Sequence, residues 1–451
     1  LAKYLANGTA SKTEAALSSD GLSRLFFGLA SMFWPETILL AKYLKDGGMS
    51  GSGDISVVDA KRYRVASDEP AMPQDTVIDV SVEILQNIAK LETDWKELEA
   101  RATHSFYLSW LWIGTWLRHL PAGAQPHVLV ARTSSKIVGL AIICRRRAWS
   151  FGPHARARWL LNETGDVHFD RLFIEYNNIL AERSLANATR VACLDALACH
   201  LRYSDQLVLS GIDRDFELAA CRTAGRAGFL TEVKAEDTAR WIDFAKVRQK
   251  GGNYRATLGR NTRQAVSRAM RLYAERGPIE FRTLEATSEA LAAFDLLAEL
   301  HQARWKHKGS FANPSFRRFH EDLIARGVPT GTVRISRTLA GDQTIGVLYN
   351  FVHDDRVLNY QSGFLFERDG RLKPGLVSHV LAIEDSFGRG ERGYDFLAGA
   401  AGHKSHLANA EHPLTWIAIG RDSPERRIEA KLRSAKRVLG AIATRMRQAA
   451  A

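Results

Sequence analysis

Apolar positions along this chain change period in an order that occurs twice. From Thr76 a short alternating run, Val77 to Glu83, leads into a helical pattern over Ile88 to Arg101 and a second over Ser109 to Leu120, which carries Trp110, Trp112 and Trp116. His127 to Arg132 and Lys136 to Ile143 then alternate on either side of a polar turn, which predicts a β-hairpin. The order returns with a helix over Phe316 to Arg326, a strand over Gly331 to Arg337, a turn at Gly341-Asp342 and a strand over Thr344 to Phe351. Gly139 of the first hairpin matches Gly346 of the second, so the pattern predicts an internal duplication of one α/β module. Each hairpin is followed by further strand and helix signals: Gln206 to Ser210 before Asp215 to Ala224, and Val357 to Gly363 before Leu376 to Phe387. The expected class is α/β (α+β), with mixed sheets flanked by helices.

A length of 451 residues fits two such modules. The expected division is an N-terminal extension at 1–75, weakly ordered, a first module at 76–237, a basic connecting helix region at 238–276, a second module at 277–420 and a basic amphipathic helix at 421–451. The apolar run Leu25 to Trp34 is about half a bilayer span and is bracketed by Arg24, Pro35 and Glu36, so it does not read as a transmembrane helix. No small-x-small cleavage site follows it, and Met49 opens a polar Ser/Gly stretch, so residues 1–48 read as an upstream extension or a weakly ordered segment.

Lys and Arg outnumber Asp and Glu by 62 to 50, a net +12, and the excess is concentrated. Thr238 to Arg276 carries ten basic residues against Asp243 and Glu275, and Arg421 to Ala451 nine against three, with Ile428, Leu432, Val438, Leu439, Ile442 and Met446 along one helical face. Such segments suit anionic membranes or nucleic acid, although most charge runs are solvated faces. Cys144, Cys193, Cys199 and Cys221 fit neither a disulfide framework nor a zinc pair, which points to a cytoplasmic setting and no metal. No nucleophile elbow, HExxH, Walker loop or EF-hand spacing occurs. Gly388 to Gly393 matches GxGxxG but follows a helix and precedes a strand, the reverse of a dinucleotide site. Arg371-Leu-Lys373-Pro374-Gly375 has the productive context: it follows a strand and opens a helix, whose free N–H groups and two flanking cations would cradle a pyrophosphate.

Several segments in a fixed order resemble one known family. His301-Gln-Ala-Arg304-Trp305-Lys-His-Lys308-Gly309-Ser-Phe311, the Gly346 hairpin, Tyr360-Gln-Ser-Gly-Phe, Leu372-Lys-Pro-Gly-Leu-Val and Tyr394-Asp-Phe-Leu-Ala-Gly399 through His403-Lys404 are similar to the CelD/BcsL-type acetyltransferases of the GNAT superfamily, associated with cellulose and exopolysaccharide biosynthesis. The resemblance covers about Val77 to Gly420. It implies tandem GNAT-like modules, distantly like the Fem-type aminoacyltransferases, with strand Val357 to Gly363 splayed from strand Arg392 to Leu397 and the acyl-pantetheine arm between them. Arg371, Lys373, Gly375, Leu376 and Val377 would bind coenzyme A, delivered as acetyl-CoA or another acyl-CoA. The superfamily's phosphate loop has a Gln or Arg first and a small residue last, positions held here by Leu372 and Val377.

Acyl transfer from a thioester needs a base, an oxyanion donor and an acid for the thiolate. Asp395 would orient or deprotonate the acceptor, or else simply pair with an arginine. His403 and Lys404 would serve as acid/base and acceptor anchor, Tyr360 as proton donor to the thiolate, and His301, Arg304, Trp305 and Lys308 as a wall for an anionic or sugar acceptor. The leading function is acyl transfer to an amine or hydroxyl of a saccharide or cell-envelope precursor, with the tail attaching the protein peripherally to the inner face of the membrane. The alternatives are a Fem-type transfer from aminoacyl-tRNA to a peptidoglycan-like precursor, and a non-enzymatic protein binding membrane surfaces or nucleic acid.

Overall fold

The computed structural model describes residues 61–64, 77–134, 136–148, 156–305, 309–399, 402–422 and 427. After a short strand β1 (Lys61–Arg64), the first module runs β2 (Val77–Ile84), α1 (Ile88–Glu99), α2 (Trp110–Arg118), β3 (Pro126–Thr133), β4 (Lys136–Ala148), β5 (Arg156–Leu161), a two-residue β6 (Leu180–Ala181), α3 (Ala186–His200), β7 (Gln206–Ile212), α4 (Arg214–Arg226) and β8 (Phe229–Asp243). Three helices follow, α5 (Phe244–Gln249), α6 (Tyr254–Thr257) and α7 (Arg260–Ala274). The second module is β9 (Ile279–Leu284), α8 (Thr287–Trp305), α9 (Pro314–Gly327), β10 (Val333–Ala340), β11 (Gln343–His353), β12 (Arg356–Phe364), α10 (Pro374–Gly388), β13 (Gly393–Asp395), α11 (Gly402–Leu407) and β14 (Ala410–Arg421). Leaving out β1 and β6, strand, two helices, three strands, helix, strand, helix, strand occurs twice, a tandem of one mixed α/β module.

The matched glycines show why the duplication is visible in sequence. A Cβ on Gly139 in β4 would strike Thr189 of α3, and one on Gly346 in β11 would strike Ser378 of α10. In each module the glycine lies on the second hairpin strand where the crossover helix passes closest, so both copies need the same missing side chain.

All the strands among the described residues join one sheet, in the order β1-β2-β3-β4-β5-β7-β14-β8-β13-β12-β11-β10-β9, with β6 beside β4. The modules exchange their final strands. The last strand of the second, β14, pairs with β7 of the first, while β8 of the first pairs with β13 of the second, and β8 and β14 pair with each other from Phe229↔Arg421 to Trp241↔Ala410. The helical layer is shared as well. Phe106 of the first module stacks on Phe351 of the second with ring centroids 4.1 Å apart, and Trp112 meets Phe319 edge-on at 5.0 Å, in a continuous aromatic core.

Several expected boundaries move. β8 runs through residue 237, where the first module was expected to end, and 238–276 is a strand end followed by three helices rather than one basic helix. The β13 strand stops at Asp395 instead of Leu397, and β1 lies inside the expected N-terminal extension. The run Leu25 to Trp34, residues 1–48 and, apart from Arg421, Asp422 and Arg427, the basic tail lie outside the described residues. No helix among the described residues is long and apolar enough to cross a membrane.

Candidate active site

Strands β12 and β13 are parallel but pair at only three positions, Arg356↔Gly393, Val357↔Tyr394 and Leu358↔Asp395. Beyond them the two chains part. β12 continues along β11, with Asn359 opposite Asn350 and Gln361 opposite Tyr349, so Tyr360 is the extra residue of a β-bulge. The other chain turns out of the sheet because the Asp395 carboxylate accepts the Leu397 N–H at 2.8 Å, an Asx turn that holds Leu397 at φ 59°. A V-shaped gap therefore opens with Tyr360 on one wall and Asp395 at its apex.

Asp395 is fully buried. Its other oxygen accepts the Tyr176 hydroxyl at 2.8 Å and lies 3.9 Å from the Arg356 guanidinium. Burial raises its proton affinity, opposed by the hydrogen bonds from Tyr176 and Leu397 and by the charge of Arg356. Beside it, Glu175 accepts the Ala398 N–H at 2.8 Å, and burial pushes its carboxyl up to about 8. The Lys404 ammonium clamps the same turn, donating to the carbonyls of Leu397 at 3.2 Å and Ala398 at 2.5 Å, and burial lowers its proton affinity against the pull of Glu175 and Asp395. Arg356 lies 4.3 Å from the ring centre of Trp241, on which His412 also stacks. Sequence reasoning named Asp395 and Lys404, which the structure brings together, but not Glu175, Tyr176, Arg356 or His412 around them. Glu175 and Tyr176 belong to a first-module loop without periodicity, and only the assembled junction brings them to Asp395.

Of the other anticipated residues, Tyr360 donates to the Leu172 carbonyl at 2.6 Å and contacts His320 Nε2 at 3.1 Å; His320 Nδ1 is 3.0 Å from the Tyr349 hydroxyl. Burial holds His320 neutral, and the Tyr360 proton is taken by the Leu172 carbonyl. Pro374 opens α10 and no side chain caps its first turn, which leaves the N–H groups of Gly375 and Leu376 for an anion. Arg371 is paired with Asp369 at 2.7 Å, and Lys373 directly precedes the helix. Val377 is turned into the core with Ala269, Tyr273 and Ile345, and its N–H bonds the Lys373 carbonyl. His301 and Arg304 lie on the last turn of α8, where His301 packs against Phe311, and neither is a hydrogen-bond or ion-pair partner of Asp395. The side chains of His403 and Trp305, and Lys308 altogether, lie outside the described residues.

The corresponding parting of strands in the first module is bridged by hydrogen bonds. There β5 and β7 are parallel over Arg158↔Gln206, Trp159↔Leu207 and Leu160↔Val208. Asn162 then spans the opening: it accepts the Ile142 N–H and donates to Asn177 and the Asn178 carbonyl, while the Asn177 N–H bonds the Gly211 carbonyl. The buried amides of Asn162 and Asn177 thus tie the ends of β5 and β7 together, Asn177 also donating to the Leu161 carbonyl.

Residues 260–405, which span the gap, the bulge and the start of α10, match the family model described as the acetyltransferase (GNAT) domain. This part of the chain is similar to GNAT acetyltransferase domains. The match covers most of the second of two modules that repeat one mixed α/β element order. No curated protein matches the chain in sequence. Among solved structures, it is similar to FemX (10% identity, 74% of this chain and 96% of that one, TM-score 0.47), to L-PGS from Bacillus licheniformis (11%, 77% and 96%, 0.44) and to a tandem GNAT protein from the clavulanic acid biosynthesis pathway (13%, 76% and 99%, 0.38). No group of three or more His, Cys, Asp or Glu side chains among the described residues could hold a metal ion.

Proposed function

We propose that the protein transfers an acyl group from acyl-CoA, with acetyl-CoA as the first candidate, to an amine or hydroxyl of a saccharide or cell-envelope precursor. The observation that carries this reading is the gap between β12 and β13, with a buried carboxylate at its apex and the uncapped start of α10 on the chain that leaves β12. The thioester supplies an activated acyl carbon. Gly375 and Leu376 offer N–H groups to the pyrophosphate, Lys373 adds charge, and Arg371 exchanges Asp369 for a phosphate oxygen. Val377 contributes packing beneath them rather than a phosphate contact. Asp395 takes the proton of the attacking group, helped by burial that raises its basicity. Lys404 fixes the turn on which Asp395 depends, and His403 follows as an acid/base at the acceptor. Tyr360 lines the gap and could protonate the thiolate only by giving up Leu172. His301, Arg304, Trp305 and Lys308 remain the proposed acceptor-binding residues, of which His301 and Arg304 lie near the end of α8.

A tRNA-dependent transfer of the Fem type is the second reading. It is favoured by the exposed Arg260, Arg268 and Arg271 of α7, which have no ion-pair partner among the described residues and suit a phosphate backbone. Calorimetry with acetyl-CoA, desulfo-CoA and charged tRNA separates the two. Saturable acetyl-CoA binding with thiol release in the presence of an acceptor is expected, whereas binding of charged tRNA alone would replace the leading reading with the second. Residues 421–451 would add reversible attachment to anionic membranes, checked by salt-sensitive sedimentation with anionic vesicles.

A further inference from the structure

We infer that the first module supplies the acceptor-facing half of the active site, with the Tyr107 hydroxyl positioning the nucleophile and the Glu175 carboxyl protonating the leaving thiolate. The inference rests on the acyltransferase reading above and assigns two residues to it.

Tyr107 lies on the single turn Phe106–Leu108, which leads into α2. Its ring is fully buried among Phe106, Trp112 and Phe351. Its hydroxyl has no hydrogen-bond partner among the described residues, although it faces Glu175, Tyr176, Tyr360 and Asp395 electrostatically. A buried hydroxyl without a partner is costly, and a folded protein tolerates one where a bound molecule completes it. The four groups it faces are those at the apex of the gap, so the molecule that completes it is the acceptor.

Glu175 is held on the Ala398 N–H, one residue along from the Leu397 N–H that holds Asp395. The two carboxyls bracket one turn from opposite modules. Burial keeps Glu175 protonated near neutrality, whereas the Tyr360 proton is engaged by Leu172. In the reaction the nucleophile's lone pair forms the new bond to the acyl carbon, and Asp395 takes its proton. The carbon–sulfur bond breaks, and the thiolate takes the Glu175 proton. Asp395 then passes its proton to Glu175, which restores both carboxyls and leaves acylated acceptor and free thiol.

The test measures thiol release from acetyl-CoA with hydroxylamine as nucleophile, above the uncatalysed rate, together with calorimetric acetyl-CoA affinity and Tm. Tyr107→Phe should keep or raise Tm and keep acetyl-CoA affinity, while KM for hydroxylamine rises roughly tenfold. Glu175→Gln should lower kcat by roughly a hundredfold and abolish the alkaline fall in rate, with partial recovery in Glu175→Asp. The groups facing Glu175 that shape that profile are Asp395, Lys404, Asp237, Tyr107, Tyr176 and Tyr360, joined at Asp395 by Arg356 and His412. A lower Tm in Tyr107→Phe, or wild-type KM, kcat and pH profile in both variants, would overturn the inference alone. Wild-type protein that neither binds acetyl-CoA nor releases thiol would overturn the acyltransferase reading and this inference with it.

Discussion

Asp395 and Glu175 are buried carboxyls one turn apart, yet their surroundings ask different things of them. Asp395 receives two hydrogen bonds and faces Arg356, so part of its burial cost is offset, whereas the hydrogen bond from Ala398 and the charge of Lys404 leave Glu175 far above the ordinary range. Asp395→Asn keeps the size and the turn but removes the proposed base, so steady-state kinetics should show kcat down by roughly 10²–10⁴ with acetyl-CoA affinity unchanged. A lower Tm with normal kcat would make Asp395 a structural partner of Arg356 instead. For Glu175 the linkage has a definite sign. Its folded proton affinity exceeds the unfolded one, so the native state holds an extra proton between about pH 4.5 and 8, and stability falls by about 1.4 kcal/mol per pH unit across that window. Urea melts at pH 5.5 and 7.5 should therefore show Glu175→Gln losing less stability than wild type, by on the order of 2 kcal/mol. Equal losses would mean that the carboxyl is ionised throughout.

At the scale of elements, the paired glycines and the start of α10 make separate demands. A methyl group at Gly139 or Gly346 must push α3 or α10 off the sheet, and each alanine variant should cost about 1–3 kcal/mol by chemical denaturation. At Gly375 a Cβ would touch the Phe364 ring at 3.0 Å, so alanine and aspartate must be compared. Alanine reports the packing alone. Aspartate adds a negative charge to a helix N-terminus that has no cap, and should weaken acetyl-CoA binding by a further 2–4 kcal/mol, roughly, in calorimetry. These elements were legible in the sequence because each obeys a local rule: alternation gave the hairpins, the Pro-Gly pair gave the start of α10, and Gly139 and Gly346 gave the repeat. β8 was not legible, since its half-exposed run Thr231 to Thr238 is polar and gains its partners, β13 and β14, from the far half of the chain. The same holds for the site. Asp395 stood out as a carboxylate between aromatic residues on a strand, while Glu175 and Tyr107 acquire their meaning only where the two modules meet.

Across the whole molecule, the exchanged strands and the shared aromatic core bind the modules into one cooperative unit. Scanning calorimetry of the described body should show one unfolding transition, and ending the chain at Asn409, which removes β14, should abolish the folded signal of both modules rather than of the second alone. Two separable transitions would mean that each module closes without the other's strand. The pairing of Thr415 with Ile212 has a further consequence during synthesis. When β7 leaves the ribosome its neighbour is still roughly 200 residues from being translated, a wait of about 10–40 s at ordinary elongation rates. Through that interval the nascent first half carries an open strand edge, so the order of manufacture makes its safe passage a task for whatever shields newly made chains.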